Sequence, residues 1–278
     1  MKPDNLVPGN LMQPLQHDFR FTRQDFHRVR ELISTYAGIS LHERKENMVY
    51  NRLARRLRAT GRSSFHDYLD WVEQPESEER ERFINALTTN LTAFFREAHH
   101  FDMLVAHARR SGGALRIWSS ACSTGEEPYS AAIALREAGC TARILATDID
   151  TDALAVARRG VYRMEALERA GLKRMQPHFL KGTGVNEGLA RLRPEVREMA
   201  SFEVRNLLAA HWAAEERFDA VFCRNVIIYF DRAGQQRLLE RLAAVLAPGA
   251  LLFLGHSESC AAGHPAFRPY GKTAYTRR

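Results

Sequence analysis

A glycine turn with two acidic residues lies between an apolar run at 115–118 and a helical pattern at 131–137. A strand, a tight glycine turn and a helix, in that order, are typical of the site where a parallel sheet receives a nucleotide-type cofactor. The N-terminus of a helix attracts anions, but Glu126 and Glu127 stand there and would repel a phosphate. The turn therefore favours a cofactor with a positive centre and no phosphate, and S-adenosylmethionine has both properties. The structural alternative is that the two acids, beside Pro128, only stabilise the start of the helix.

Polar residues also stand at the ends of successive predicted strands. Glu126 follows the first strand, Asp148 ends the second, Asn206 follows the third, and Arg224 with Asn225 follows the fourth. Because an open parallel sheet binds its ligand beyond the carboxyl ends of its strands, we expect these side chains to share one pocket. Asp148 stands roughly 20 residues after the turn, the spacing of an acid that binds ribose hydroxyls. Each residue has a structural alternative, since Asp148 can cap the next helix and Asn206 can turn the chain.

The elements that position these residues form an α/β pattern. Helical patterns predict an N-terminal helical domain over 17–90, and alternating strands and helices predict a second domain over 91–278. We expect a Rossmann-like, mainly parallel sheet with helices on both faces and an antiparallel hairpin at its end. The segment at about 160–200 is too long for a crossover loop, which predicts a small inserted β-subdomain with its own hairpin.

Composition limits the cellular setting. The 278 residues include four scattered cysteines without a C-x-x-C pair, which favours reduced thiols in a cytoplasmic protein and argues against a disulfide frame or a zinc site. No apolar run approaches the roughly 20 residues of a membrane span, so we expect no membrane insertion. Residues 1–16 contain three prolines and no apolar core, which predicts a disordered tail. The net charge of +7 suggests an acidic partner.

A basic helix is predicted over 41–60. Val49, Leu53 and Leu57 share one face, whereas basic residues that include Arg52, Arg55 and Arg56 spread over the opposite face. Acidic residues are nearly absent there, so pairing within the helix cannot satisfy the charge. The pattern favours a docking surface for an anionic partner, with a solvated helix face as the alternative. The mixed-charge run at 73–82 is expected to face solvent.

His99 and His100 raise the question of a metal or of acid–base catalysis. Neighbouring residues of a helix point about 100° apart, so two adjacent histidines do not easily share a ligand. We expect ordinary helix residues and no metal.

Five motifs carry a resemblance to a known family: NLTAFFRE at 90–97, CSTGEEPYS at 122–130, ATDID at 146–150, FCRNVIIYF at 222–230 and GHSE at 255–258. Together they resemble the CheR family of chemotaxis receptor methyltransferases, and the resemblance runs from about residue 21 to 275. The family transfers a methyl group from S-adenosylmethionine to glutamate side chains of membrane chemoreceptors and releases S-adenosylhomocysteine.

The resemblance implies roles for matching positions. Arg96 and Tyr229 would face the methyl-transfer centre. The cofactor would contact Asn90, Thr92, Arg96, Glu126, Asp148, Asn206, Leu207, Arg224 and Asn225. Of the two acids at the turn, Glu126 is expected to meet the positively charged amino end of the cofactor, and Glu127 to remain a helix-start residue.

Partners follow from the same resemblance. The basic helix would meet the cytoplasmic helical bundle of a chemoreceptor, and the inserted subdomain would hold a tether peptide at the receptor C-terminus. A nucleic-acid methyltransferase is disfavoured, because the amino-methylating members of that class usually carry a Pro-Pro-aromatic motif where this chain has Arg224-Asn225-Val226-Ile227. A non-catalytic adaptor that senses the cofactor remains the alternative from another functional class.

Overall fold

The computed structural model describes residues 18–209, 212 and 217–278, so the predicted tail at 1–16 lies outside the described residues. The helices are α1 Arg23–Ala37, α2 Glu46–Thr60, α3 Phe65–Glu73, α4 Glu79–Leu87, α5 His99–Ser111, α6 Glu126–Glu137, α7 Thr151–Arg159, α8 Met164–Arg169, α9 Leu172–Met175, α10 Pro194–Arg197 and α11 Arg232–Val245. The strands are β1 Leu115–Ser119, β2 Ala142–Asp148, β3 Val161–Arg163, β4 Phe179–Lys181, β5 Leu189–Leu192, β6 Ala200–Val204, β7 Phe218–Cys223, β8 Leu246–Leu254, β9 Phe267–Gly271 and β10 Ala274–Arg277.

Helices α1 to α4 pack around their own apolar core. A capping box begins α1: the Thr22 hydroxyl accepts from the backbone N–H of Asp25, and the Asp25 carboxylate accepts from the N–H of Thr22. The predicted apolar face of α2 is buried in this core, and α4 is the helix that α2 contacts most. The mixed-charge run is not wholly solvent-facing as expected, because Glu79 begins α4 and is 3% exposed.

The large sheet has the strand order β6-β2-β1-β7-β8-β10-β9. Strands β6, β2, β1, β7 and β8 are parallel, whereas β10 runs antiparallel to β8 and β9. Crossover helices cover both faces, so the central strands are almost completely buried. The predicted fold class is therefore confirmed, including the terminal hairpin.

The excursion after α7 forms a second, antiparallel sheet of order β3-β5-β4. Its hairpin between β4 and β5 was predicted, but the third strand, β3, was not. Tyr162 of β3 fastens this small sheet to the glycine turn, because its hydroxyl donates to the carbonyl of Thr124 at 2.8 Å. The Tyr162 ring also packs edge-on against Phe94, with ring centroids 4.9 Å apart.

The helical part is fastened to the carboxyl edge of the large sheet at several points. Arg82 of α4 pairs with Asp152 of α7 at 2.7 Å, and the Asn85 amide donates to the Thr151 hydroxyl at 2.8 Å. On the other side, the backbone N–H of Ser40 donates to the carbonyl of Tyr229 at 2.8 Å. These contacts hold α1, α2 and the segment after α4 over the strand ends, and a cavity remains between them.

Candidate functional site

The cavity lies where the strand ends of the large sheet face the helical part, and its volume is about 480 Å³. This size falls within the range of small-molecule and cofactor sites. Strand ends supply one wall, and residues from α1, α2 and the segment between them supply the other. Every residue predicted to contact the cofactor or the methyl-transfer centre lines the cavity except Glu126. The predicted residues that line it are Asn90, Thr92, Arg96, Asp148, Asn206, Leu207, Arg224, Asn225 and Tyr229.

The glycine turn is shaped by packing. Gly125 has φ 96°, and a Cβ there would come within 2.9 Å of both the Ala157 side chain and the Tyr162 hydroxyl. A side chain at this position would therefore push α6 away from α7 and from the inserted sheet. One glycine is enough for this close approach, which agrees with a turn that cradles no pyrophosphate.

Of the two acids at the turn, Glu127 rather than Glu126 lines the cavity. The carboxylate of Glu126 accepts from the Thr124 hydroxyl at 2.6 Å. Glu126 is not among the described residues that line the cavity. Glu127 does line the cavity; it accepts from the Ser119 hydroxyl at 2.7 Å and from Arg224 at 3.1 Å. The pattern of the turn did not indicate which carboxylate the start of the helix directs toward the cavity, and the structure places Glu127 there. Burial raises the pKa of Glu127, and the nearby guanidinium of Arg224 opposes that rise.

Asp148 ends β2 at the edge of the cavity. Its Oδ2 accepts from the N–H of Ser123 at 2.7 Å, and its Oδ1 accepts from the N–H of Asp150 at 3.0 Å. These bonds fix the carboxylate, yet two oxygens offer about four acceptor positions, so acceptor capacity remains for two ligand hydroxyls. Burial raises the pKa of Asp148, and backbone N–H groups, those of Asp150 and Ser123 foremost, oppose the rise.

Two of the predicted amides bind other parts of the protein. Asn90 donates to Asp150 at 2.6 Å and accepts from the Ser123 hydroxyl at 2.9 Å, so it joins the end of the helical part to the strand ends. Asn206 donates to the carbonyl of Tyr36 at 2.9 Å, which holds the end of β6 against α1. Both side chains line the cavity, and both also support its walls.

Arg96 sits on an unusual turn. Its neighbours Phe95 and Glu97 both have φ 55°, a left-handed conformation that costs on the order of 1 kcal/mol or more for such residues. The surroundings hold this turn in place: the N–H of Phe95 donates to the Ser130 hydroxyl at 2.8 Å, and Arg224 donates to the Arg96 carbonyl. Arg96 itself donates to the carbonyl of Leu91 at 2.8 Å, which directs its guanidinium along the cavity wall.

Arg224 lies almost completely buried beneath that turn, with 2% of its side chain exposed. Its guanidinium pairs with Glu127 at 3.1 Å and with Glu97 at 3.6 Å. Of the two carboxylates that share this guanidinium, Glu127 lines the cavity. Near the Glu127 carboxylate, a cationic group on a ligand is attracted and a phosphate is repelled.

Glu258 was not singled out from the sequence, although it belongs to the GHSE motif. It is 4% exposed, and its carboxylate accepts from the N–H groups of Gly255 at 2.6 Å, Asn225 at 2.8 Å and Ile227 at 2.8 Å. These bonds fix Asn225 at φ 58° and begin the 3-10 turn that presents Tyr229. An acid in the short loop that follows the buried strand β8 was the available signal for this supporting role.

The basic face of α2 differs from its expected form. Arg56 forms two hydrogen bonds with buried Glu79, at 2.7 and 2.8 Å, and Arg52 donates to the carbonyls of Ala86 and Thr88 at the end of α4. Of the three predicted docking arginines, only Arg55 is exposed, whereas Arg52 and Arg56 are half-buried. The partners of Arg56 and Arg52 belong to the neighbouring helix α4 and not to α2 itself, so the absence of acids within α2 does not leave these charges unpaired.

The two histidines are closer than their adjacency in a helix suggested. The ring centroids of His99 and His100 lie 4.2 Å apart, and both Nε2 atoms are 3.2 Å from the Lys272 carbonyl. Together with Glu97 their ligand atoms fall within 4.8 Å of one another. A cation there would face the guanidinium of Arg224, which pairs with the same Glu97. Burial lowers the pKa of His100 to about 3, so its ring is neutral at physiological pH.

Across the described residues, no helix combines the length and the apolar character that crossing a membrane requires.

Comparison with known proteins gives a match over nearly the whole chain. The family model described as "CheR methyltransferase, SAM binding domain" matches residues 90–276, and the one described as "CheR methyltransferase, all-alpha domain" matches residues 24–88. The chemotaxis protein methyltransferase of Klebsiella aerogenes is 51% identical over 272 residues, which cover 96% of this chain and 94% of that protein. The protein of the same name from Escherichia coli is 49% identical over 278 residues, covering 98% and 97%. Chemotaxis protein methyltransferase 2 of Pseudomonas aeruginosa is 48% identical over 279 residues, covering 97% and 99%.

Proposed function

This chain belongs to the CheR methyltransferase family, and from that premise we propose that its acceptors are glutamate side-chain carboxylates of membrane chemoreceptors. It is an S-adenosylmethionine-dependent methyltransferase of chemotaxis, and its product from the cofactor is S-adenosylhomocysteine. The observation that supports the proposal best is the cavity, because Asp148, Glu127, Arg96 and Tyr229 line one space of about 480 Å³ at the carboxyl edge of the sheet.

The charges of the cavity fit this cofactor. Asp148 would accept hydrogen bonds from the ribose hydroxyls with the acceptor capacity that its backbone contacts leave free. Glu127, rather than Glu126, would attract the ammonium end, since it lines the wall and its partner Arg224 is shared with Glu97. Ile149 and Leu207 add apolar surface for the adenine ring. When bound, the cofactor supplies an electrophilic methyl group on a positively charged sulfur.

The chemistry needs no general base. A glutamate side chain has an ordinary pKa of about 4.3, so the acceptor is already a carboxylate at neutral pH. One carboxylate oxygen forms a bond to the methyl carbon, the carbon–sulfur bond breaks, and sulfur keeps the electron pair. The acceptor loses its negative charge, so a strong hydrogen bond to the attacking oxygen would slow the reaction.

Arg96 and Tyr229 therefore act by positioning. The planar fork of the Arg96 guanidinium would orient the substrate or the carboxylate of the cofactor, without a strong hydrogen bond to the attacking oxygen. Tyr229 would help to position the acceptor. Exact alignment of reacting groups contributes on the order of 7–11 kcal/mol in favourable systems. The turn at 95–97 and the Glu258 contacts supply the rigidity that alignment requires.

Division of labour within the chain is part of the proposal. The helical part, 17–90, would dock on the cytoplasmic helical bundle of the receptor, and the part at 91–278 would carry out the transfer in the cytoplasm. The inserted subdomain, about 160–200, would hold a receptor C-terminal peptide. Its outer strands β3 and β4 each pair with β5, and an extended peptide can add to the free edge of such a strand.

Radiolabelled methyl transfer tests the function. Membranes that contain chemoreceptor should acquire label, and mild base should release that label as methanol because the product is an ester. The matched control is receptor whose methylatable glutamates are replaced by alanine, which should stay unlabelled. Label that resists base, or label that enters RNA or DNA instead, would contradict the proposal.

A further inference from the structure

Glu97, His99 and His100 lie together at the start of α5, beside the turn that carries Arg96. One ligand-type atom from each of the three side chains lies within 4.8 Å of the other two. The His100 side chain is completely buried, the Glu97 side chain is 13% exposed, and His99 is half-buried. These three residues are here called the His–Glu cluster. None of the three lines the cavity, so the cluster is separate from the cofactor site.

Hydrogen bonds determine which nitrogen of His100 carries the proton. The neutral ring has one N–H group, and its Nε2 lies 2.9 Å from the Thr273 hydroxyl oxygen and 3.2 Å from the Lys272 carbonyl oxygen. The Thr273 hydroxyl donates its own hydrogen to that carbonyl, so both oxygens accept from Nε2. Nδ1 of His100 therefore carries a lone pair. Nε2 of His99 is also 3.2 Å from the Lys272 carbonyl, which leaves the lone pair of its neutral ring on Nδ1.

The lone pair of His100 faces another acceptor. Glu97 Oε2 lies 3.8 Å from His100 Nδ1, and neither atom has a hydrogen-bond partner among the described residues. Two buried acceptors that face each other are costly without a partner, and a cation between them satisfies both. A histidine that donates its other N–H to a backbone carbonyl is also the usual arrangement of a metal-ligating histidine.

The ligand types indicate which cation fits. Two imidazole nitrogens and one carboxylate oxygen suit Zn²⁺ and similar transition-metal ions, whereas Ca²⁺ and Mg²⁺ prefer oxygen ligands. Zinc bonds of about 2.0–2.2 Å place tetrahedral ligand atoms roughly 3.4 Å apart. The 3.8 Å between Glu97 Oε2 and His100 Nδ1 is close to this spacing. A rotation of the half-buried His99 side chain would bring in the third ligand, and water would take the fourth position.

Arg224 approaches the other oxygen of Glu97. Its guanidinium is 3.6 Å from Oε1, and the N–H of His256 donates to the same Oε1 at 3.3 Å, so Oε2 stays available to a cation. Arg224 also pairs with Glu127, which lines the cofactor cavity. An ion on Glu97 weakens the attraction between that carboxylate and Arg224. The guanidinium is then left to Glu127 and neutralises it more completely.

We propose that the His–Glu cluster binds Zn²⁺ or a similar transition-metal ion, and that the bound ion lowers the affinity of the enzyme for its cofactor. The second part rests on the proposed role of Glu127, because a more fully neutralised Glu127 attracts the ammonium end of the cofactor less. The positive charge of the ion acts in the same direction. Arg224 repels the ion, so we expect a reversible inhibitory site rather than a permanent structural one.

Titration of the intact enzyme with Zn²⁺ by isothermal calorimetry tests the site. One zinc ion is expected to bind, and binding should be lost in His99→Gln and in Glu97→Gln, each of which keeps a polar side chain. The matched control is His66→Gln, which changes an exposed histidine 3.5 Å from Asp70 and should leave zinc binding unchanged. Co²⁺ in place of zinc distinguishes the cluster from the free cysteines, because thiolate ligands add an intense charge-transfer absorption that nitrogen and oxygen ligands lack.

The dissociation constant for S-adenosylhomocysteine tests the second part. Zn²⁺ should raise it several-fold and a chelator should restore it, whereas His99→Gln should show neither effect and should methylate receptor normally without zinc. No zinc binding, zinc binding that survives in both variants, or a thiolate spectrum with Co²⁺ would overturn the site. Zinc that binds at the cluster and leaves the dissociation constant unchanged would overturn the inhibition. No base-labile label with the zinc-free enzyme would instead refute the proposed function.

Discussion

The carboxyl edge of the large sheet and the exposed face of α2 both carry dense charge, but their charges are organised differently. At the sheet edge, residues from four strand ends face one cavity, and the contacts of Asp148 leave acceptor capacity for a ligand. On α2, Arg56 and Arg52 bind groups of α4, and Arg55 alone of the predicted three is exposed. The order of strands in a parallel sheet determines where strand ends meet, whereas the partner of a helix-face charge depends on which helix packs beside it.

The largest effect is expected at the sheet edge, from Asp148→Asn. The change removes the charge that would accept the ribose hydroxyls, so the dissociation constant for S-adenosylhomocysteine should rise roughly 100-fold, in line with a lost pair of charge-assisted hydrogen bonds. Isothermal titration calorimetry measures this directly. The control is Asp152→Asn on α7, an exposed acid paired with Arg82, which should bind normally. An equal loss of S-adenosylhomocysteine affinity in both variants would contradict a direct contact between Asp148 and the cofactor.

A stability effect is expected on α2. Arg56→Gln leaves the carboxylate of Glu79 buried without its guanidinium, and the free energy of unfolding should fall by about 2 kcal/mol, a value reduced because Arg56 is partly exposed. Urea denaturation followed by circular dichroism measures it. Arg55→Gln on the same helix should leave stability unchanged. If both variants unfold alike, the distinction between paired and exposed arginines on α2 is incorrect.

The two acids of the glycine turn provide a sharper contrast. Glu127→Gln should raise the dissociation constant for the cofactor about 10-fold, because one charge near its ammonium end is lost, whereas Glu126→Gln should have little effect. The pH dependence has a definite sign. Because burial raises the pKa of Glu127, protonation begins at a higher pH than for an ordinary glutamate, and binding should weaken as pH falls through that raised pKa. The weakening should be smaller in Glu127→Gln, where only the similarly raised titration of Asp148 remains, and an undiminished weakening there would assign it to another group.

The smallest effect is expected from Arg55→Glu. This reversal of an exposed charge should raise the KM for receptor several-fold without changing cofactor affinity. The difference from the unaltered enzyme should shrink as salt is added, because exposed charges are screened beyond roughly 8 Å at physiological ionic strength. Receptor methylation at low and high salt measures both parts. If Arg55→Glu methylates receptor normally at low salt, Arg55 does not contribute to receptor docking.

Much of the site was predictable because it follows from topology. The strand ends, the spacing of Asp148 after the glycine turn and the alternation of elements led to the correct sheet and to most of the cavity wall. The features that were missed depend on contacts between distant segments. Glu127 faces the cavity because Ser119 and Arg224 hold it there, and Glu79 is buried because Arg56 and Tyr68 bind it. The left-handed turn around Arg96 has no sequence signal of its own, since neither Phe95 nor Glu97 favours that conformation.

Mass-spectrometric mapping of receptor peptides after incubation with S-adenosylmethionine tests the central claim most directly. The account predicts the added mass of one methyl group on glutamate side chains that lie on one face of the receptor helices, and its loss when Arg96→Ala replaces the unaltered enzyme. Methylation on lysine, on backbone termini or on nucleic acid, or undiminished glutamate methylation by Arg96→Ala, would contradict the account.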